Sequence, residues 1–388
     1  MMKRIAIIGG GAAGLAAAIS AQQASREAGN ASVQTTVFEK SDRVGKSILA
    51  SGNGRCNFSN SAISAAAYNN PAFVEQSLAA LPPNEVLGFF ASIGLVWHEE
   101  DEGRLYPQSE KASSVLDVLR FAARDLGVET ICNTEVRWVT PAQGRFLVCL
   151  DDETVSYFDA VIVACGGKVA RSLLPVHYCY HNTMPLLCPL RTSAAPIRGL
   201  NNIRARCLAS CGSHEELGEV LFREYGLSGI AVFNLSRFAR EGDVIKLDFL
   251  PQQSEEDVLA ALQQRIGLFA ERPALECLAG LLQQPLARAV LRAASLSAEE
   301  RLREGDLAAL LVALKAFSLA VEGVGDPSNC QVWRGGFDTG GFSACSLESK
   351  RDPGLFVVGE ALDVDGPCGG FNLHWAWTSG ILAGRAAV

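Results

Sequence analysis

The stretch KRIAIIGGGAAGLAAAIS, residues 3–20, decides how the rest of the chain is read. Ile5 to Ile8 form a short apolar run suited to a buried strand, glycines follow at once, and from Ala12 the composition turns helical. The glycines fall as Gly9-x-Gly11-x-x-Gly14. In that spacing the first permits a tight turn, the second admits a close approach to the backbone, and the third lets helix and strand pack together. The open N–H groups and positive dipole end of the helix then face whatever fills the turn, which favours a phosphate. A second apolar run, VQTTVFEK (33–40), ends in Glu39, 25 residues after Gly14, where a carboxylate can accept hydrogen bonds from a ribose diol. Strand, glycine turn, helix, strand and acid in this order predict a dinucleotide-binding unit.

Composition narrows the class. The chain has 388 residues, 48 % hydrophobic and 20 % charged, enough for two or three packed domains. A net charge of −8 argues against nucleic acid as the main partner, because phosphate neutralisation needs clustered Lys and Arg. The 12 cysteines contain no Cys-x-x-Cys pair, and Cys207-x-x-x-Cys211 lacks a matching second pair, so they read as mostly buried thiols and not as zinc ligands or disulfides. No metal is expected. The N-terminal MMKRIAIIGGG is too short an apolar run for a signal peptide. The run Leu307 to Val321 is interrupted by Lys315 and too short to span a bilayer. A cytoplasmic location and no membrane partner are expected.

The glycine unit alone does not separate NAD from FAD. The far end of the chain supplies a second contact set: Leu355 to Val358 reads as a buried strand, Gly359-Glu360 ends it, and Gly366 to Gly370 form another glycine turn before a helix from about Asn372. Glu360 suits the ribitol hydroxyls of an extended FAD. The helix start at Phe371, Asn372 and Leu373 suits the flavin's pyrimidine edge, whose negative charge on reduction a helix dipole stabilises. Asp363-x-Asp365-Gly366 resembles the start of a calcium loop but lacks the further ligands. Gly380 and Gly384 make a flat helix face expected to pack on the Gly11–Gly14 turn.

Between these ends, Leu116, Leu119, Ala123 and Leu126 place a helix from about Ala112, and residues 135–167 read as successive strands ending in a glycine turn. From Cys188 a β-rich piece leads into a helix at Ile230. Residues 254–319 read as entirely helical, with Ser254 and Asp257 as a capping box. The predicted division is 1–187 and 326–388 for the two parts of a nucleotide domain, 188–250 for an inserted β-rich piece, and 251–325 for an inserted helical piece. The insertion is expected to cover the cofactor and shape a substrate cleft.

Five segments together resemble the bacterial flavoproteins of the BaiN-like NAD(P)/FAD-dependent oxidoreductase family, within the glutathione-reductase-like FAD superfamily. They are IIGGGAAGLAAA (7–18), GKSILASGNGRCNFSN (45–60), GRLYPQSEKASSVLDVL (103–119), GEVLFREYGLSGIAVFNLSR (218–237) and the run from Gly335 to Gly380. The resemblance implies an α/β fold: a Rossmann-like FAD-binding domain with a parallel sheet and a β-meander, interrupted by a β-barrel-like plus all-helical insertion. It also implies that the Ser51–Asn57 loop and the Gly369–Trp375 turn lie around the flavin.

The expected cofactor-binding set is therefore Gly9, Gly11, Ala12, Ala13, Gly14, Glu39, Lys40, Gly45, Lys46, Ser51, Gly52, Gly54, Arg55, Cys56, Asn57, Gly166, Gly359, Glu360, Gly370, Phe371, Asn372 and Leu373. Arg55 is expected to balance negative charge on the cofactor; the competing reading is a pair with a surface carboxylate. No catalytic residue is assigned. FAD is expected to be held non-covalently, with NAD(P)H as a transient electron donor because no second glycine fingerprint follows. The expected reaction is hydride transfer between flavin N5 and a small unsaturated or carbonyl-conjugated substrate. After Lys168 the segment VARSLLPVHYCYHNTMPLLCPL departs from the family's glycine-containing loop, which keeps open a flavin-binding regulatory or partner-binding protein with little turnover. The oligomeric state is not legible.

Overall fold

A computed structural model describes residues 2–29, 33–326 and 329–388. The chain divides into two compact units, 1–184 with 332–388, and 185–331.

The first unit is built on a five-stranded parallel sheet. Its order is Leu355–Val357, Ala160–Val163, Lys3–Ile8, Val33–Phe38 and Glu129–Ile131. Ile5, Ile7, Val161, Ile162 and Val357 are wholly buried, as strands covered on both faces must be. The chain order reverses beside Lys3–Ile8, and in such sheets ligands bind beyond the strands' carboxyl ends at that switch point. Helix Ala12–Glu27 and helix Phe371–Ala386 pack closely along one another. A Cβ on Gly380 would stand 2.3 Å from the Ala13 carbonyl oxygen, and one on Gly384 2.3 Å from that of Ala17. The flat glycine face thus meets the turn at Ala13 and continues one helical turn beyond it.

Two three-stranded antiparallel sheets also belong to this unit, besides the two-stranded pairing of Tyr180–Leu186 with Val332–Phe337. Val136–Ala142, Arg145–Leu150 and Val155–Phe158 form a meander. Its first hairpin turns on Gln143 and Gly144, both at positive φ (51° and 76°), as a two-residue type I′ turn requires. Ser59–Asn60, Arg104–Pro107 and Trp97–Glu100 form the other.

The second unit contains a closed barrel. Its strands follow the order Leu190–Thr192, Gly226–Ser228, His214–Arg223, Arg204–Cys211, Val244–Asp248 and Phe317–Val324, and Leu190 pairing with Val324 closes it. Glu255–Leu268, Gln284–Ala293 and Leu307–Lys315 are helices, and Ser254 and Asp257 form the expected capping box. The helical reading of 254–319 needs correction at its end. Residues 317–324 are a strand whose inward side chains Phe317, Leu319 and Val321 alternate with exposed neighbours, and without it the barrel would not close.

Among the described residues no helix is long and apolar enough to cross a membrane.

Candidate cofactor site

The site grows from the carboxyl edge of the parallel sheet. Gly9 leaves Ile8 at φ 106°, and a Cβ there would stand 2.7 Å from the Ala164 carbonyl oxygen. A Cβ on Gly14 would collide with the Gly9 carbonyl oxygen at 1.9 Å. These two glycines therefore serve the close packing of turn, strand and helix. Gly11 is different: a Cβ would meet only Ser47 Oγ at 3.5 Å, leaving room in front of the helix start at Ala12 and Ala13.

Glu39 sits at the tip of Val33–Phe38. Its Oε2 accepts from the Gly10 N–H at 2.9 Å and its Oε1 from the Ser41 N–H at 2.8 Å. Gly45 donates to the Gly10 carbonyl at 2.9 Å and starts the short helix Lys46–Ala50 at φ 75°. Lys46 pairs with Asp42 at 2.6 Å on the surface, and Lys40 is exposed.

The Ser51–Asn57 loop explains its own composition. Gly52, Asn53, Gly54 and Cys56 all take positive φ, the left-handed region that favours glycine and asparagine. Ser51 closes it by accepting from the Cys56 N–H at 3.1 Å. Burial pushes the Cys56 thiol up to about 11, so it is a packed neutral thiol, and all cysteines are free of disulfides. Arg55 has the carboxylate partners of the competing reading. Its guanidinium lies 4.1 Å over the Tyr106 ring and is engaged by both Glu100 and Glu110, which raise its pKa.

The loop meets the C-terminal turn at Gly370, the αL residue before helix Phe371–Ala386, where a Cβ would fall 2.2 Å from the Ser59 carbonyl oxygen and 2.9 Å from Asn57 Oδ1. Trp377 Nε1 donates to the Phe58 carbonyl at 2.9 Å, and Trp375 Nε1 to that of Gly359 at 3.2 Å. Asn372 spends its amide on Gly366 and Pro367, and Tyr68 donates to the Phe371 carbonyl at 2.9 Å, so only the backbone N–H groups of Phe371, Asn372 and Leu373 are offered at this helix start.

Gly359 and Glu360 close the edge: a Cβ on Gly359 would stand 3.1 Å from the Ala13 Cβ, and one on Gly167 2.8 Å from the Glu360 carbonyl oxygen, while Gly166, at φ 77°, leaves open space. Burial, then the charge of Asp365, pushes Glu360 up to about 7. The calcium-like acids are engaged elsewhere, Asp365 with Arg334 and Asp363 with His181.

Sequence reasoning missed Glu100, Glu110 and Tyr106 around Arg55, and also the buried pair Ser59–His374, joined at 2.8 Å. No spacing signal links them, since each partner arrives from another element.

An extended FAD fits these residues. Asn57 Oδ1 and His374 Nε2 are buried without a hydrogen bond among the described residues, Gly11 leaves an open cradle, and the donors at Gly9–Gly14 and Phe371–Leu373 are backbone N–H groups suited to anionic atoms. FMN would leave the Glu39 end unused.

This sheet, glycine turn and returning helix define a dinucleotide-binding flavoprotein. Residues 3–386 match the HI0933-like protein Rossmann domain, and the chain belongs to that family of FAD-dependent oxidoreductases. It is 34 % identical to the 3-dehydro-bile acid delta(4,6)-reductase of Clostridium scindens, over 100 % of this chain and 99 % of that protein. It is 27 % identical to the ribosomal RNA dihydrouridine synthases of Escherichia coli and Haemophilus influenzae, in each case over 96 % of this chain and 95 % of the relative.

Proposed function

We propose that this protein holds FAD non-covalently along the sheet edge and uses it to saturate a carbon–carbon double bond conjugated to a carbonyl in a small molecule, with NAD(P)H as a transient donor. The observation that carries this is the meeting of three separated segments, 9–14, 51–57 and 359–373, at the switch point of one parallel sheet. When bound, the flavin supplies hydride transfer at N5. The chain's residues bind and orient it. Glu39 stiffens the glycine turn and offers its remaining acceptor capacity to a ribose, Glu360 offers a carboxylate to the ribitol, and the start of helix Phe371–Ala386 places its positive end where reduction would put negative charge. Cys56, kept as a neutral thiol, takes no redox part.

The relatives support this class of reaction, since both printed activities add hydrogen to an unsaturated ring. The net charge of −8 and the higher identity to the bile-acid enzyme favour a small molecule. The dihydrouridine synthases make RNA uracil the second reading. Anaerobic titration of the FAD-loaded protein with NADH and NADPH, followed by an α,β-unsaturated ketone or by uridine-containing RNA, separates them. Bleaching by a nicotinamide and recovery with the ketone supports the proposal. Recovery with RNA alone supports the second reading. Absence of bleaching by either nicotinamide contradicts the donor, and absence of recovery of the reduced flavin with either acceptor contradicts hydride transfer to these substrates.

A further inference from the structure

The segment after Lys168 brings together a cluster that the cofactor site does not use. Cys179 precedes strand Tyr180–Leu186, His181 lies in it, and Asp338 follows the partner strand Val332–Phe337. The Asp338 N–H donates to the Cys179 carbonyl at 3.0 Å, fixing the two strand ends side by side. Cys179 Sγ, a His181 ring nitrogen and an Asp338 carboxylate oxygen lie within 4.8 Å of one another.

The geometry points to a Zn²⁺ site with Cys179, His181 and Asp338 as ligands and water in the fourth position. Two observations beyond proximity support it. First, His181 Nδ1 lies 2.7 Å from Asp363 Oδ2. A carboxylate only accepts, so Nδ1 carries a proton and Nε2 is the ring atom whose lone pair is left for a metal at the cluster. Asp363 is itself held, its Oδ1 accepting from Asn69 Nδ2 at 3.0 Å and from the Gly335 N–H at 3.2 Å. A carboxylate that sets the tautomer of a ligating histidine is the outer-shell arrangement of zinc sites.

Second, His181 Nε2 stands 3.5 Å from Asp338 Oδ2. That is too long for a good hydrogen bond, but it matches the edge of a tetrahedron whose zinc–nitrogen and zinc–oxygen bonds are about 2.1 Å, roughly 3.4 Å. Asp338 Oδ1 accepts from the Gly340 N–H at 2.6 Å, which aims Oδ2 at the imidazole. Cys179 is exposed, so metal can enter, and binding would displace its thiol proton to solvent. The thiol and imidazole donors suit zinc, where an all-oxygen set would suit magnesium or calcium. This amends the expectation that no cysteine is a zinc ligand.

Two measurements on the full-length, chelator-stripped protein test the site. Calorimetric titration with Zn²⁺ should show one equivalent bound, and Cys179→Ser and His181→Ala should each weaken it at least about tenfold. Both side chains are exposed, so the variants should fold, which their circular dichroism checks. Zn²⁺ should also slow alkylation of Cys179, followed by mass spectrometry, while leaving the other exposed thiol, Cys345, unchanged. Binding that either substitution leaves intact, or equal alkylation of Cys179 with and without Zn²⁺, would overturn the assignment and leave an ordinary His181–aspartate pair.

Discussion

Glu39 Oε2 lies 2.9 Å from the Gly10 nitrogen and accepts its N–H, so the tip of the second strand is tied directly to the glycine turn after the first. The same carboxylate accepts from Ser41. It orders the turn and still presents acceptor capacity beyond it.

Replacing Glu39 by alanine should therefore loosen FAD by about ten- to a hundredfold, the equivalent of one charge-assisted hydrogen bond of roughly 1.5–3 kcal/mol. The apo-protein should also lose roughly 1–3 kcal/mol of stability, because the buried Gly10 N–H loses its acceptor. Equilibrium dialysis of FAD checks it; equal retention by mutant and parent would make Glu39 a structural strand end only.

Arg55 invites the opposite expectation. With Glu100 and Glu110 already bound to its guanidinium, Arg55→Met should leave FAD retention and midpoint potential near the parent's. It should cost less than about 1 kcal/mol of stability at neutral pH, because all three side chains are more than a third exposed. Arg55 holds the Glu100 carboxyl below its usual range, so this contribution is present above the unfolded carboxyl pKa and lost as pH falls through the lower folded value. The gap in melting temperature between variant and parent should close in acid. A large shift in potential would return Arg55 to the cofactor.

His374 sets a second pH dependence. Burial lowers its pKa to about 4 from 6.5, so the unfolded chain takes up a proton first as pH falls. Stability should be full above about pH 6.5 and decline down to about pH 4, by a few kcal/mol at ~1.4 kcal/mol per unit. His374→Gln should flatten that slope in denaturant melts at pH 7 and pH 5. An unchanged slope would mean that His374 titrates normally.

How much of this was legible in the sequence follows the range of each interaction. The glycine turn, Glu39 and the C-terminal strand–turn–helix were readable because their geometry is local and glycine has few substitutes at positions such as Gly14 and Gly370. The partners of Arg55 were not, because Glu100 and Glu110 reach it from a strand and a turn 45 and 55 residues away. Strand Phe317–Val324 was missed although its alternation is plain, because it follows the apolar helix Leu307–Lys315 after a single residue, and only barrel closure gives it a role. The Cys179, His181 and Asp338 cluster depends on strand pairing that no spacing rule describes.

Glu360 gives the cofactor affinity its own signature. Hydroxyl donors favour the ionised carboxylate, whereas burial pushes Glu360 up to about 7. FAD should therefore bind more weakly by up to about tenfold per unit below pH 7, and Glu360→Gln should remove that dependence. Parallel pH profiles for the two proteins would separate Glu360 from the ribitol.

The proposed reaction is hydride transfer from bound FAD to a conjugated double bond. The most direct measurement mixes anaerobically reduced, FAD-loaded protein with an α,β-unsaturated ketone and follows flavin absorbance together with product mass. The account predicts that the oxidised flavin spectrum returns in step with formation of one equivalent of the saturated ketone. Flavin that stays reduced while the ketone is recovered unchanged would contradict it.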